Sequence, residues 1–317
     1  MNDLEHKLFY KIQEAISNIS LKELQSIASS LSQKYHKNIF DFFSSDLQRL
    51  AYITYRMPAT YNALVYVFKE MKKISPDIEV KTILDLGSGP ATSAWAAFSE
   101  FKKLKQMHLV ERDVNILNIG KKLLDNEPFA KKIEYEENNI LKIKNYDYDL
   151  VVLSYVANEL KEPFVKKIIQ RWIYSNSKTI LILEPGTPYG FKKIKYIRQM
   201  LIDNNCKIIA PCPNELRCPM TQEDWCHFFV RLKRSKSHKY LKKGTLGFED
   251  EKFSYVIATK NAVAKPNSRN VRNPKSDSSE VVLTLCHNGK IVKETIEKKD
   301  KKFKIARKTK WGDSFDV

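Results

Sequence analysis

The stretch at residues 81–101, KTILDLGSGPATSAWAAFSEF, constrains this chain most. A β-branched and apolar run ends in Asp85-x-Gly87-x-Gly89 and passes into an Ala-rich segment. That reads as a strand, a glycine turn and a helix. Glycine lets the backbone turn sharply and approach a ligand, with a helix N-terminus just beyond. The rhythm repeats: QMHLVERD, KIEYEENNI, YDLVVLSYVANEL and KTILILEPGTP read as four further strands with helical segments between them. Strands alternating with helices imply a doubly wound, parallel α/β sheet. CKIIAPCP would be strand six, and KFSYVIATK at 252–260 strand seven.

Around that sheet the sequence divides as follows. Residues 1–79 carry apolar residues at three- and four-residue spacing and predict a helical N-terminal domain, with two helices meeting at Pro58. Residues 80–260 are the Rossmann-like domain, with a Cys-rich insertion at about 210–245 between strands six and seven. Residues 261–279 are rich in Pro, Asn and Ser and read as a linker. Residues 280–317 read as a small basic β-module, with Asn288-Gly289 between two alternating runs as a hairpin turn. KKFKIARKTKW is placed as a third strand.

The glycine turn bears on the cofactor. A dinucleotide fingerprint wants a third glycine three residues after Gly89, and Thr92 stands there. The spacing suits S-adenosylmethionine, in the methyltransferase version of this sheet, whose seventh strand is antiparallel. Asp85, Gly87 and Gly89 would wrap the amino-acid part of the cofactor. Glu111, at the end of strand two, would bond the ribose hydroxyls, and Asn138 or Asn139 the adenine. No nucleophile-activating motif accompanies the pocket, so methyl transfer stays open. Asn158, Glu159 and Glu184 sit at strand ends, where they would touch a substrate or cap a helix.

Of five cysteines, three lie close together as Cys212-x5-Cys218-x7-Cys226, and Cys286 follows far downstream. In a reducing compartment such a cluster favours metal over disulfide. Structural zinc sites usually use tight Cys-x2–4-Cys pairs, which this chain lacks. Four thiolates on long, irregular loops suit a four-iron four-sulfur cluster. Zinc remains the alternative, with His227 or His287 as substitute ligands. Cys206, at a helix-to-strand boundary, reads as a buried small hydrophobe.

The formal charge is +18, and residues 227–317 hold 23 Lys/Arg against 10 Asp/Glu. That asymmetry points to a polyanionic partner, most often nucleic acid. The run after Cys226, HFFVRLKRSKSHKYLKKGTLGF, interleaves aromatics with cations. Arg231, Lys233, Arg234, Lys236, Lys239, Lys242 and Lys243 are the expected phosphate contacts, with Phe228, Phe229 and Tyr240 as candidates to stack on unpaired bases, the two phenylalanines being the more usual core residues. No apolar run approaches the roughly 20 residues of a membrane span, and no membrane partner is expected. The acidic start, MNDLEHKLFYKIQE, reads as neither a secretory signal nor a transit peptide. A cytoplasmic protein follows as the expectation.

The residues AYITYRMPATYNAL, ILDLGSGPATSAWA, LVERD, SYVANEL, LEPGTPYGF, APCPNELRCPM, the run from Asp224 to Val256, LCHNGK and WGD together resemble one family. It is that of the methyltransferase-like assembly factors of the small ribosomal subunit, and the likeness covers nearly the whole chain. It implies a class I methyltransferase-like fold and a four-iron four-sulfur cluster on Cys212, Cys218, Cys226 and Cys286. It also implies binding to small-subunit rRNA within the immature small subunit; separately, a monomer off the ribosome is expected. The family has mitochondrial members, so the matrix replaces the cytoplasm if this is a mature eukaryotic form. Ala91 departs from the glycine many relatives show in the cofactor loop.

Overall fold

The computed structural model describes residues 3–36, 39, 43–221 and 223–316. Met1 and Asn2 of the acidic start lie outside them. The chain opens with three helices: α1 (Asp3–Ala15), α2 (Leu21–His36) and α3 (Asp46–Ile74). The last runs unbroken through Pro58, where the sequence predicted two helices. An internal proline removes a backbone hydrogen bond and costs about 3 kcal/mol. Burial outweighs that here. Met57, Tyr61, Leu64, Val67, Phe68 and Met71 all lie in the core, so tertiary packing holds the helix together across the break.

The sheet follows: β1 (Thr82–Leu86), α4 (Thr92–Glu100), β2 (Gln106–Glu111), α5 (Val114–Leu124), β3 (Ile133–Glu137), β4 (Leu150–Ser154), α6 (Glu162–Ile173), β5 (Thr179–Pro185), α7 (Pro188–Asp203) and β6 (Lys207–Ala210). After the cysteine loop come β7 (Phe228–Lys233), α8 (Lys236–Leu241) and the long β8 (Phe248–Thr259). The strand order is β3-β2-β1-β4-β5-β8-β6, with β1 to β5 parallel and β8 antiparallel to both its neighbours. This is the methyltransferase-like α/β arrangement. Alternate residues of each strand enter opposite cores, as period-two geometry requires. Ile83, Met107, Val152 and Leu181 face α3 and α4, while Leu84, Val110, Val151 and Ile182 face α6 and α7.

The strand β7 is a feature the sequence reading missed. It pairs antiparallel with the first half of β8, and β6 pairs with the second half, so both lie along one edge of that strand. Residues 211–227 therefore leave the sheet at the carboxyl end of β6 and rejoin the same edge further along.

The C-terminal elements are β9 (Ser268–Asn270), β10 (Lys275–Ser276), β11 (Glu280–His287), β12 (Lys290–Glu297), α9 (Phe303–Ala306) and β13 (Ser314–Phe315). They form a second sheet around Val281, Leu283, Leu285, Ile296, Phe303 and Phe315. The hairpin turns at Asn288 and Gly289, both at positive φ (45° and 70°), as a two-residue loop between twisted strands demands. Two expectations change. The stretch at 261–279 contains β9, whose three residues are buried between β11 and β13. The run KKFKIARKTKW forms the short helix α9, not a strand, because Phe303 and Ala306 turn one face onto β11.

Candidate functional site

A cavity of about 450 Å³ opens over the carboxyl ends of β1, β2 and β4. Gly87, Gly89, Glu111, Asn138 and Asn139 line it, with Tyr155, Val156, Glu159, Leu160 and Phe164 opposite. Phe43 and Tyr52 close it from the N-terminal helical layer. At Gly87 φ is +82°, and a Cβ there would sit 2.5 Å from Val156 Cγ2. At Gly89 φ is +53° and nothing lies within 4 Å of such a Cβ. Glu111 knits the floor together. One carboxylate oxygen accepts from Gly89 N–H at 3.0 Å, the other from the N–H groups of Arg112 and Asp113.

Asp85 is not a lining residue. It is fully buried beneath the turn, where Ser93 Oγ donates to one oxygen and the other has no partner among the described residues. Burial pushes its carboxyl up to about 7, and the nearby Glu111 charge adds to the shift. The sequence placed it at the cofactor because it ends the strand, but its side chain points into the α4 side of the core. Ala91 sits at φ 61°, the left-handed region, where a side chain costs about 1–2 kcal/mol. That conformation is what a glycine there would relieve. Glu184 is buried at the end of β5. It accepts from Ala157 N–H, its second oxygen has no hydrogen-bond partner among the described residues, and burial pushes it up to about 8.

The second site lies at the sheet edge. Cys212 follows β6, Cys218 is in the loop, Cys226 precedes β7, and Cys286 is on β11 of the second sheet. All four thiols line one cavity of about 40 Å³, room for roughly three water molecules. Its walls are Phe191, Ile194, Lys195 and Arg198 of α7, Pro211, Met220, Phe228 and Tyr255, and Arg269 and Val271 of the former linker. Among the described residues no three His, Cys, Asp or Glu side chains close on a single metal-ion position. The thiols ring a space instead. Burial pushes Cys226 well above the ordinary thiol range and Cys286 up to about 12, and the neighbouring sulfurs push both the same way. Neither histidine faces the cavity. His227 is stacked on Trp225 and meets Trp311 edge to face, and His287 makes its contacts with the Asn267 carbonyl and Asn288. Cys206 is buried in the α6–α7 core, away from the other four.

Three cations hold this site, and the sequence reading passed over all of them. Arg198 donates to Cys212 Sγ at 3.1 Å and to the carbonyls of Asn214 (2.8 Å) and Leu216 (2.9 Å). Lys195 donates to Met220 O at 2.9 Å. Arg269 donates to Pro211 O at 2.9 Å and pairs with Glu70. A signal was present: Lys195 and Arg198 fall on the apolar face of α7 with Phe191 and Ile194, where cations need a partner.

The seven expected phosphate contacts separate into two groups. Arg234 and Lys242 both pair with Glu249, which also meets the buried His238, and Arg231 pairs with Asp250 across β7–β8. These three serve the hairpin. Lys233, Lys236, Lys239 and Lys243 are exposed and form no ion pair among the described residues, with Tyr240 beside them 43% exposed. No helix among the described residues is long and apolar enough to cross a membrane.

A family model described as mitochondrial small ribosomal subunit Rsm22 matches residues 46–316. The Rsm22-cox11 tandem protein 2, mitochondrial, of Schizosaccharomyces pombe is 26% identical over 348 residues, covering 86% of this chain and 44% of the relative. The ribosome assembly protein METTL17, mitochondrial, of Homo sapiens is 23% identical over 300 residues, covering 84% and 62%. The chain thus spans about half the length of the curated relatives it matches. Among solved structures, magnesium protoporphyrin IX methyltransferase from Synechocystis, with bound S-adenosylhomocysteine, aligns at a TM-score of 0.43. Its identity is 9%, over 74% of this chain and 95% of that one.

Proposed function

The chain belongs to the family of mitochondrial small ribosomal subunit Rsm22, and from that premise we propose that it is an assembly factor of the small ribosomal subunit. In this reading it binds rRNA through a methyltransferase-like core whose second sheet is stapled down by a four-iron four-sulfur cluster. The observation that carries the reading is the meeting of Cys212, Cys218, Cys226 and Cys286 at one cavity between the two sheets. The donor set is all thiol, and the space is larger than a single ion needs. A tetrahedral zinc site holds its sulfurs roughly 3.8 Å apart, given Zn–S bonds of about 2.3 Å. The spacing Cys212-x5-Cys218-x7-Cys226, without the tight Cys-x2–4-Cys pairs usual in structural zinc sites, supports the larger group over zinc. Such a cluster would join β11 to the main sheet, and its binding energy would be part of the folding energy.

The exposed Lys233, Lys236, Lys239 and Lys243 with Tyr240 supply the rRNA surface. Phosphate contacts give affinity without sequence choice, and an aromatic offers stacking to an unpaired base. The cavity over Gly89 is assigned to S-adenosylmethionine, with Gly87 and Gly89 at its amino-acid part, Glu111 at the ribose and Asn138 and Asn139 at the adenine. The cofactor would supply a methyl group. A second reading, an active RNA methyltransferase, is favoured by the size of that cavity and by Glu111 at its floor. The relatives are mitochondrial by name, which supports the matrix and lends nothing to the expected cytoplasm.

Depletion of the protein tests the function. Immature small subunits should accumulate, and the purified chain should crosslink to small-subunit rRNA. Normal subunit levels together with no crosslink would overturn the assignment. A methyl mark that disappears on depletion, and returns only with intact Gly87 and Glu111, would establish the second reading.

A further inference from the structure

Helix α7 presents one face to the thiol cavity, made by Phe191, Ile194, Lys195 and Arg198. Two of these four are cations that turn inward. Arg198 is only 4% exposed, yet it is not an ion-paired surface residue folded over. Among the described residues no carboxylate meets it. Its hydrogen bonds run to one sulfur and two carbonyls, all within residues 212–216. Lys195, one turn earlier, takes the carbonyl of Met220, two residues past Cys218. One helix face therefore grips the cysteine loop at two places, beside Cys212 and beside Cys218.

A guanidinium buried without a carboxylate is costly, and a site keeps one only where an anion compensates it. The group that Arg198 Nε–H meets here is the Cys212 sulfur, which a bound metal group would hold as thiolate. We propose that Arg198 is a positioning residue of the thiolate site: it holds the 212–216 loop in place before the metal group arrives, and its Nε–H bond to Cys212 Sγ afterwards raises the reduction potential of the bound cluster. This inference rests on the iron–sulfur reading above. Hydrogen bonds to ligand sulfurs, together with nearby charge, are among the levers that set such potentials. A donor at one sulfur stabilises the more negative, reduced cluster more than the oxidised one. Arg198 also presents two further N–H donors to the loop in a fixed fork, which a lysine cannot reproduce.

The test compares the full-length wild type with Arg198→Lys and Arg198→Met, each purified without oxygen and titrated by redox potentiometry. The wild type should hold iron and sulfide. Arg198→Met should lower the potential, and Arg198→Lys should lower it by less, since it keeps the charge but loses the fork. In the chelated protein, both variants should show faster cleavage or amide exchange at residues 211–220 than the wild type, with the sheet core unchanged. If the wild type binds iron and all three share one potential, the electrostatic role is wrong. If exchange at 211–220 is also unchanged, the positioning role falls as well. A wild type that holds no iron sinks the cluster reading instead, and the exchange comparison then decides the positioning role by itself. Should Arg198→Met fail to fold, Arg198→Lys carries both measurements.

Discussion

Arg269, on β9 of the C-terminal sheet, forms a buried ion pair with Glu70 on α3, 199 residues away in sequence. The same guanidinium donates to the carbonyls of Pro211 and Gly312. One side chain thus joins the helical layer, the cysteine loop and the chain's last turn. Removing one partner of a buried pair strands the other charge, at about 3–5 kcal/mol. Glu70→Ala and Arg269→Met should each lower unfolding stability by that order in urea titrations. The double variant should cost less than their sum, because the stranded charge is gone. Single-variant losses below about 1 kcal/mol would contradict the joint.

The two glycines of the β1–α4 turn should behave differently. Gly87→Ala places a Cβ 2.5 Å from Val156 Cγ2 at φ +82°. It should destabilise the fold by more than about 2 kcal/mol. Gly89→Ala meets nothing within 4 Å. It should cost only about 1 kcal/mol of stability. Its methyl would nevertheless project beside the cavity lining, so calorimetry should show weakened S-adenosylmethionine binding with a near-normal melting temperature. Unchanged binding in Gly89→Ala would remove the cofactor from this cavity.

Glu184 predicts a pH dependence. Its carboxyl is raised by burial from 4.5 to about 8, so the folded chain holds a proton that the unfolded chain releases. The stability this contributes is complete below about pH 4.5 and declines as pH rises, until the folded group has itself ionised near pH 8. Within that window the slope from one such group is up to about 1.4 kcal/mol per pH unit. Glu184→Gln should give a shallower fall between pH 5 and 8 in chemical denaturation. Parallel curves for variant and wild type would contradict the assignment.

The basic surface makes a prediction about salt. Replacing Lys233, Lys236, Lys239 and Lys243 by Gln should weaken rRNA binding. Each lost phosphate contact should flatten the log–log salt dependence by about 0.7–0.9. Replacing Arg234 or Lys242 should instead lower stability, because each neutralises Glu249 inside the hairpin. A filter-binding series across salt concentrations, paired with thermal melts, separates the two groups.

The parallel sheet was legible because β1, β2, β4 and β5 are apolar on both faces, and Asn288-Gly289 marked the hairpin of the second sheet through its turn chemistry. Local signals failed where distant contacts decide. Pro58 predicted a break that burial of α3 overrides. Ser268–Asn270 looks like linker, since its strand identity comes only from β11 and β13. Phe228–Lys233 looks like a nucleic-acid segment because alternate residues are basic, yet Phe228 and Leu232 face the core and set it as β7. At the candidate sites, residue type and spacing pointed to the glycines, Glu111 and the four cysteines, and the structure sets the former on one cavity and the cysteines on another. Asp85 could not be separated from them, because the strand end fixes its position and only packing fixes its burial. The structural role of Arg234 and Lys242 depends on Glu249, which the run of cations conceals.

The measurement that bears most directly on this account is the iron, acid-labile sulfide and zinc content of the full-length chain purified without oxygen. The account predicts about four irons and four sulfides per chain, with brown colour, and loss of both in Cys286→Ser. A colourless protein carrying one zinc ion per chain, or one whose iron survives the loss of Cys286, would contradict it.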